Sequence, residues 1–142
     1  MIISTKGRYG LRALIDIAIY SSSEIVTLKS ISERQRISER YLEQIFSSLR
    51  KGGVVKAKKG PQGGYYLEEE AYDLTMGDIL RILEGDLSIV DMEKEENQLE
   101  NFLWENLWNM ANIKMNNYFD AITLKDLVEK YRSSKENIMY YI

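Results

Sequence analysis

Within the first 67 residues, three helical periods are followed by two short β-type runs around one glycine- and proline-rich break, and that order leaves few folds open. Leu11, Leu14, Ile15, Ala18 and Ile19 recur at helical spacing and define a first amphipathic helix over Tyr9 to Tyr20. Thr27 can cap a short second helix that buries Leu28 and Ile31 and ends near Arg36. Ser38 can cap a third, in which Leu42, Ile45, Phe46 and Leu49 follow the i, i+3, i+4, i+7 pattern and Gly52-Gly53 stops the run. Val54 to Lys59 then reads as a strand, Gly60-Pro61-Gln62-Gly63-Gly64 as a turn and Tyr65-Tyr66-Leu67 as the returning strand.

Two short helices across a tight turn, followed by a basic hairpin, make the layout of a winged helix-turn-helix. The expected fold is mainly α with a small β-hairpin wing. Thr75-Met76-Gly77-Asp78 resembles a capping box, with Asp in place of the longer Glu, and opens a helix that ends at Gly85. Residues 86–97 read as an acidic loop. From Gln98 to Phe119 no helix breaker occurs, and apolar residues fill two faces, with Leu99, Leu103, Leu107 and Met110 on one and Trp104, Trp108, Ala111 and Met115 beside it. One small domain cannot cover a stripe that wide, so Leu99, Leu103, Leu107 and Met110 are the expected seam of a two-fold homodimer. Thr123 caps a last short helix through Tyr131, and an apolar Met139-Tyr140-Tyr141-Ile142 follows. The expected division is a DNA-binding unit over 1–85 and an acidic loop, dimerisation helix and tail over 86–142.

Charge separates along the same line. Residues 1–67 carry 12 Lys or Arg against 5 Asp or Glu, a balance of +7, whereas residues 68–142 carry 7 against 17, a balance of −10. A basic half suits a polyanion, and the net charge of −3 conceals it. The chain has neither cysteine nor histidine, which removes disulfides, thiolate catalysis, cysteine-held clusters and the commonest general base and metal ligand. The carboxylates, Glu95 and Glu96 or Asp73 and Asp78 for example, read as a solvated acidic face. A non-enzymatic protein without cofactor or metal is expected. No apolar run approaches the roughly 20 residues of a membrane span, and no export signal opens the sequence, so a cytoplasmic location is expected.

With the apolar side of the third helix turned inward, its outer side shows Glu39, Arg40, Glu43, Gln44, Ser47 and Lys51. Gln can bond adenine through two atoms, Glu can accept from cytosine, and Ser38, Arg40 and Tyr41 can hold phosphates. In the wing, Lys58 and Lys59 precede Gly63 and Gly64, where missing side chains let the backbone approach a phosphate wall. The wing is no nucleotide-binding loop, since the Gly-Lys-Ser/Thr ending is absent.

Three blocks carry a resemblance. Ile3-Ser4-Thr5-Lys6-Gly7-Arg8-Tyr9-Gly10, Ile37-Ser38-Glu39-Arg40-Tyr41-Leu42-Glu43-Gln44-Ile45-Phe46 and Gly60-Pro61-Gln62-Gly63-Gly64-Tyr65 are similar to the Rrf-type transcription regulators, and Thr75 to Ile79 and Leu83-Glu84-Gly85 extend the match over the whole chain. The resemblance implies a homodimer held by the long helix and a double-stranded DNA operator. It also implies Glu43 and Gln44 facing bases, with Ser38, Tyr41 and Lys6 near phosphates. Where the family commonly has Arg before the Gly-Pro of the wing, this chain has Lys59, which keeps the charge and loses the planar fork.

A second departure selects a branch. Iron–sulfur members of the family place three cysteines in the stretch corresponding to residues 86–106, and here Asp, Glu, Leu and Trp stand instead. The chain looks most like the branch that represses cysteine and sulfur-uptake genes. In that branch the signal is relayed through O-acetylserine thiol-lyase. The resemblance implies a contact in which Ile142 offers its terminal carboxylate to that enzyme's active site, with Tyr140 and Tyr141 as flanking anchors. The alternative is a member that senses a small molecule directly, between the Trp104/Trp108 helix and the winged unit, and controls other genes.

Overall fold

The computed structural model describes residues 2–21, 25–92 and 96–140, with only the backbone of 137–140. Helix α1 runs Thr5–Tyr20, α2 Leu28–Gln35 and α3 Glu39–Lys51. Strands β1 (Lys56–Lys58) and β2 (Gly64–Tyr66) form one antiparallel hairpin in the register Lys56↔Tyr66, Ala57↔Tyr65, Lys58↔Gly64. After a 3-10 turn over Glu69–Asp73 come α4 (Met76–Glu84), α5 (Gln98–Leu103), a π turn (Trp104–Trp108), α6 (Asn109–Asp120) and α7 (Leu124–Tyr140). The mainly helical fold with a hairpin wing is the one the sequence predicts.

Capping explains most boundaries. Thr27 accepts from Ser30 N and Ser38 from Tyr41 N, each at 3.1 Å. Thr75 and Asp78 form a reciprocal capping box, and Thr123 with Asp126 forms another. Helix α1 starts four residues earlier than its apolar period suggests. Ser4 caps it, and the Glu84 carboxylate accepts from the Ser4 and Gly7 amides at 3.0 Å each, placing negative charge at the helix N-terminus. Gly7 and Gly10 are what let α4 come so near: a Cβ on Gly7 would stand 2.3 Å from Glu84 Oε1, and one on Gly10 2.5 Å from Leu83 Cδ1.

Leu14, Ile17, Ile31, Leu42, Ile45, Phe46, Leu49 and Ile79 are fully buried in one cluster, and Leu124 and Val128 of α7 belong to it. The last helix runs on to Tyr140, past the Tyr131 expected as its end, and it packs on α1, where Arg132 Nη2 donates to the Ala18 carbonyl at 3.0 Å. Two backbone bonds, Met76 N to Ile122 O at 2.7 Å and Leu124 N to Leu74 O at 2.9 Å, lay Thr75 beside Thr123.

Gln98 to Asp120 is one continuous helical run interrupted by the π turn, across which Asn109 N donates to Trp104 O. Asn106 Nδ2 donates to the Phe102 carbonyl at 2.9 Å, within the stretch where the regular ladder is broken. The segment before it is held by side chains of α6. Asn112 accepts from Ile89 N at 2.7 Å and donates to Val90 O at 2.9 Å, while Asn116 donates to Leu87 O at 2.9 Å. Among the described residues no helix is long and apolar enough to cross a membrane.

Candidate nucleic-acid interface

The sequence of α3 divides it into two faces. Leu42, Ile45, Phe46 and Leu49 are fully buried, and Glu39, Arg40, Glu43, Gln44 and Lys51 are exposed, with Ser47 half-buried between them. Arg40, Glu43, Gln44 and Lys51 hold no hydrogen bond or ion pair among the described residues, so their donors and acceptors face solvent uncommitted. The Ser38 hydroxyl accepts from Tyr41 N, and its own proton remains available to donate. Tyr41 is half-buried, its ring 6.0 Å from that of Tyr9 and nearly perpendicular to it, which fixes where its hydroxyl emerges. Lys6 lies against the same helix: its Nζ donates to Ser48 Oγ at 2.8 Å.

The wing is fixed to α3 through aromatic packing. Tyr65 of β2 packs against Phe46 with the rings tilted by 54° and their centroids 4.8 Å apart. A third extended segment steadies it, since Val26 N donates to Tyr65 O at 3.0 Å and Tyr65 N to Val26 O at 2.7 Å. The turn closes with Gly63 N on Gly60 O at 2.9 Å, and Gly60 takes φ 109, a conformation glycine supplies. Gly63 and Gly64 answer to the chain itself, because added Cβ atoms would lie 2.1 Å from Lys58 O and 2.5 Å from Val26 O. Lys58 and Lys59 stand exposed, without partners among the described residues. The Lys6 end of α1 and the wing that bears Lys58 and Lys59 thus both contact α3.

Two residues of this region escape sequence reasoning. Arg36, between α2 and α3, is exposed in the left-handed region at φ 56, ψ 48, a conformation no periodicity reveals for an arginine. Asp16 is the buried charged residue of the N-terminal helices, and Arg34 grips it through Nε and Nη2 at 2.9 and 2.7 Å. Helical periodicity gives no hint of that pair.

On the long helix, Leu99 is 66% exposed, Leu107 47% and Met110 51%, whereas Leu103, Trp104, Trp108, Ala111 and Met115 are half-buried. Phe102 and Ile113 are exposed large apolar residues of the same run and were not anticipated. Tyr141, Ile142 and the side chain of Tyr140 lie outside the described residues. Among the titratable groups of the C-terminal half, Arg81 donates to both oxygens of Asp120 at 2.9 and 3.0 Å. That bond holds the Asp120 carboxyl below its usual range and raises the guanidinium further.

Comparison with known proteins places these features. The Rrf2 family, described as iron-dependent transcriptional regulators, matches residues 3–130. The chain is 39% identical over 142 residues to the HTH-type transcriptional regulator CymR of Bacillus subtilis, covering all of both chains. The solved structure of that protein, named as a global cysteine regulator, superposes with a TM-score of 0.77 over 92% of this chain and 98% of its own. IscR of T. potens superposes at 0.74 with 40% identity, over 94% and 90%. Iron does not suit the residues present. The chain offers no thiolate or imidazole, and no group of three or more carboxylates among the described residues could hold a metal. Residues 87–90 are instead held by the amides of Asn112 and Asn116. Metal donors aside, the match in sequence and fold runs nearly end to end: the chain belongs to the Rrf2 family of transcriptional regulators.

Proposed function

We propose that this protein is a homodimeric, sequence-specific DNA-binding repressor of cysteine and sulfur-metabolism genes that works without an iron–sulfur cluster. The observation that carries the DNA reading is the exposed set Arg40, Glu43, Gln44 and Lys51 on α3, unpaired among the described residues, beside a wing anchored to the same helix. Glu43 and Gln44 read base edges, while Lys6, Ser38, Arg40, Tyr41, Ser47, Lys51, Lys58 and Lys59 hold backbone phosphates, with the glycine tip at Gly63-Gly64 brought close to them. Full-length similarity to a protein named as a cysteine regulator supports the choice of genes.

Leu99, Leu103, Leu107 and Met110 form the seam between two copies, and the exposure of three of them within one chain supports it. Two copies about a two-fold axis read a pseudo-palindromic site. O-acetylserine thiol-lyase is the proposed protein partner, taking Ile142 with Tyr140 and Tyr141 beside it. Sequencing the DNA retained by the protein from fragmented genomic DNA of its own organism tests the assignment. Enrichment upstream of sulfur-uptake and cysteine-synthesis genes is expected, and enrichment elsewhere overturns the choice of genes while leaving DNA binding intact. Mixing the protein with the thiol-lyase, with and without Ile142, tests the partner: equal binding of both forms overturns the tail contact.

A further inference from the structure

A cavity of about 390 Å³ opens where α1, α2 and α7 meet, away from α3 and the wing, in the size range of small-molecule sites. Its apolar wall is Ile15 and Ile19 of α1, and Tyr20 and Tyr131 flank it. Asp16 lines it too, but that carboxylate is already engaged, accepting from Arg34 at 2.9 and 2.7 Å and from Gln35 Nε2 at 2.9 Å. A ligand cation would find no open acceptor there. The Arg34 guanidinium also lies 4.0 Å from the centre of the Tyr20 ring, so this side of the cavity is flat.

Two further cations line the cavity, one from each helix. Arg12 of α1 donates to the Gln35 carbonyl and lies over the Tyr9 ring, neutral partners that leave its charge in place. Lys135 of α7 has its Nζ 5.0 Å from the Tyr131 ring and no carboxylate partner among the described residues. With Asp16 balanced by Arg34, the lining carries a surplus of two positive charges beside an apolar wall. We propose that this cavity is a binding site for a small organic carboxylate with a flat or branched apolar body. The carboxylate meets Arg12 and Lys135 and the body lies on Ile15, Ile19 and the tyrosine rings. Occupancy ties α7 to the end of α2, from which the chain passes through Arg36 into α3.

The test is a titration of the full-length protein, carbon-13 labelled at isoleucine methyls, with 4-hydroxyphenylacetate, its neutral amide and acetate, following Ile15 and Ile19. Saturable shifts are expected with 4-hydroxyphenylacetate. Binding about tenfold weaker is expected for the amide, for acetate and for Lys135→Glu, a change of about 1.4 kcal/mol. The unliganded spectrum and thermal unfolding of Lys135→Glu should match the parent. Absence of saturation, equal affinity for amide and carboxylate, or indifference to Lys135→Glu overturns the site. Shifts of the same methyls that depend on protein concentration without any probe would assign the cavity to a second copy of the chain and overturn it as well.

Discussion

Lys6 reaches across 2.8 Å from the first turn of α1 to Ser48 on the last turns of α3, so the two helix ends that carry proposed phosphate contacts are tied to one another. An ammonium with one proton given to a hydroxyl keeps two for other acceptors. Lys6→Ala is expected to weaken binding to every DNA sequence and to flatten the log affinity against log salt slope by about 0.9 per subunit. Ser48→Ala is expected to lower stability by about 1 kcal/mol in urea unfolding and to leave that slope unchanged. Equal slopes for Lys6→Ala and the parent would remove Lys6 from the interface.

With Lys6, Arg40, Lys51, Lys58 and Lys59 on phosphates in both subunits, the full slope should approach roughly −9. Lys59→Ala should reduce affinity for cognate and random duplexes alike. Gln44→Ala should cost about 1–3 kcal/mol on the cognate site alone. A fluorescence anisotropy series over salt measures all three, and a slope near zero would refute the basic face.

Leu107 is half-exposed on the long helix beside Met110. Leu107→Asp sets a charge into the proposed seam, and sedimentation velocity should then show monomer, with operator binding lost. Leu103→Asp should act in the same direction. An intact dimer in both variants would put the interface elsewhere.

Acid should loosen the α4–α6 junction. The hydrogen bond from Arg81 lowers the Asp120 pKa below its ordinary 3.8, so this group adds stability above that value and the contribution is lost as pH falls through the lowered one. Both partners are about a third or more exposed, which keeps the effect small and sensitive to salt. Urea midpoints taken on descending from pH 5 should fall less steeply in Asp120→Asn than in the parent. Identical pH dependence would count against this pair.

Arg36 occupies a left-handed conformation that costs a side chain about 1 kcal/mol relative to glycine. Arg36→Gly should raise stability by roughly that amount, less the entropy glycine adds to the unfolded chain. A fall in the unfolding midpoint would mean that Arg36 makes a stabilising contact in solution.

What was legible in the sequence was local. Thr27, Ser38 and the Thr75–Asp78 pair announce their helices because a cap is decided within four residues, and the buried face of α3 follows from spacing alone. The misses depend on distant partners. The early start of α1 rests on Glu84 and on the close approach of α4 to Gly7 and Gly10, the hold on residues 87–90 rests on Asn112 and Asn116, and the stretch of α7 beyond Tyr131 has no apolar period of its own to announce it. The π turn hides for another reason: its extra residue shifts the apolar phase between Leu103 and Asn109, which one α period laid on the sequence does not show. For the interface, residue type and face suggested candidates, whereas the second duty of Gly63 and Gly64 inside the wing needed the packed chain.

The two backbone bonds that lay Thr75 beside Thr123 turn the α6–α7 elbow and the start of α4 into a single stiff joint. From that joint α4 leads to Ile82, which sits so close to the end of α3 that a Cβ on Gly52 would come within 2.7 Å of it. No slack segment intervenes along that route between the proposed seam and the proposed reading helix. The amides of Met76 and Leu124 should accordingly exchange with deuterium slowly and together, as the two halves of one hinge pin would, and separate rates would show the joint to be loose.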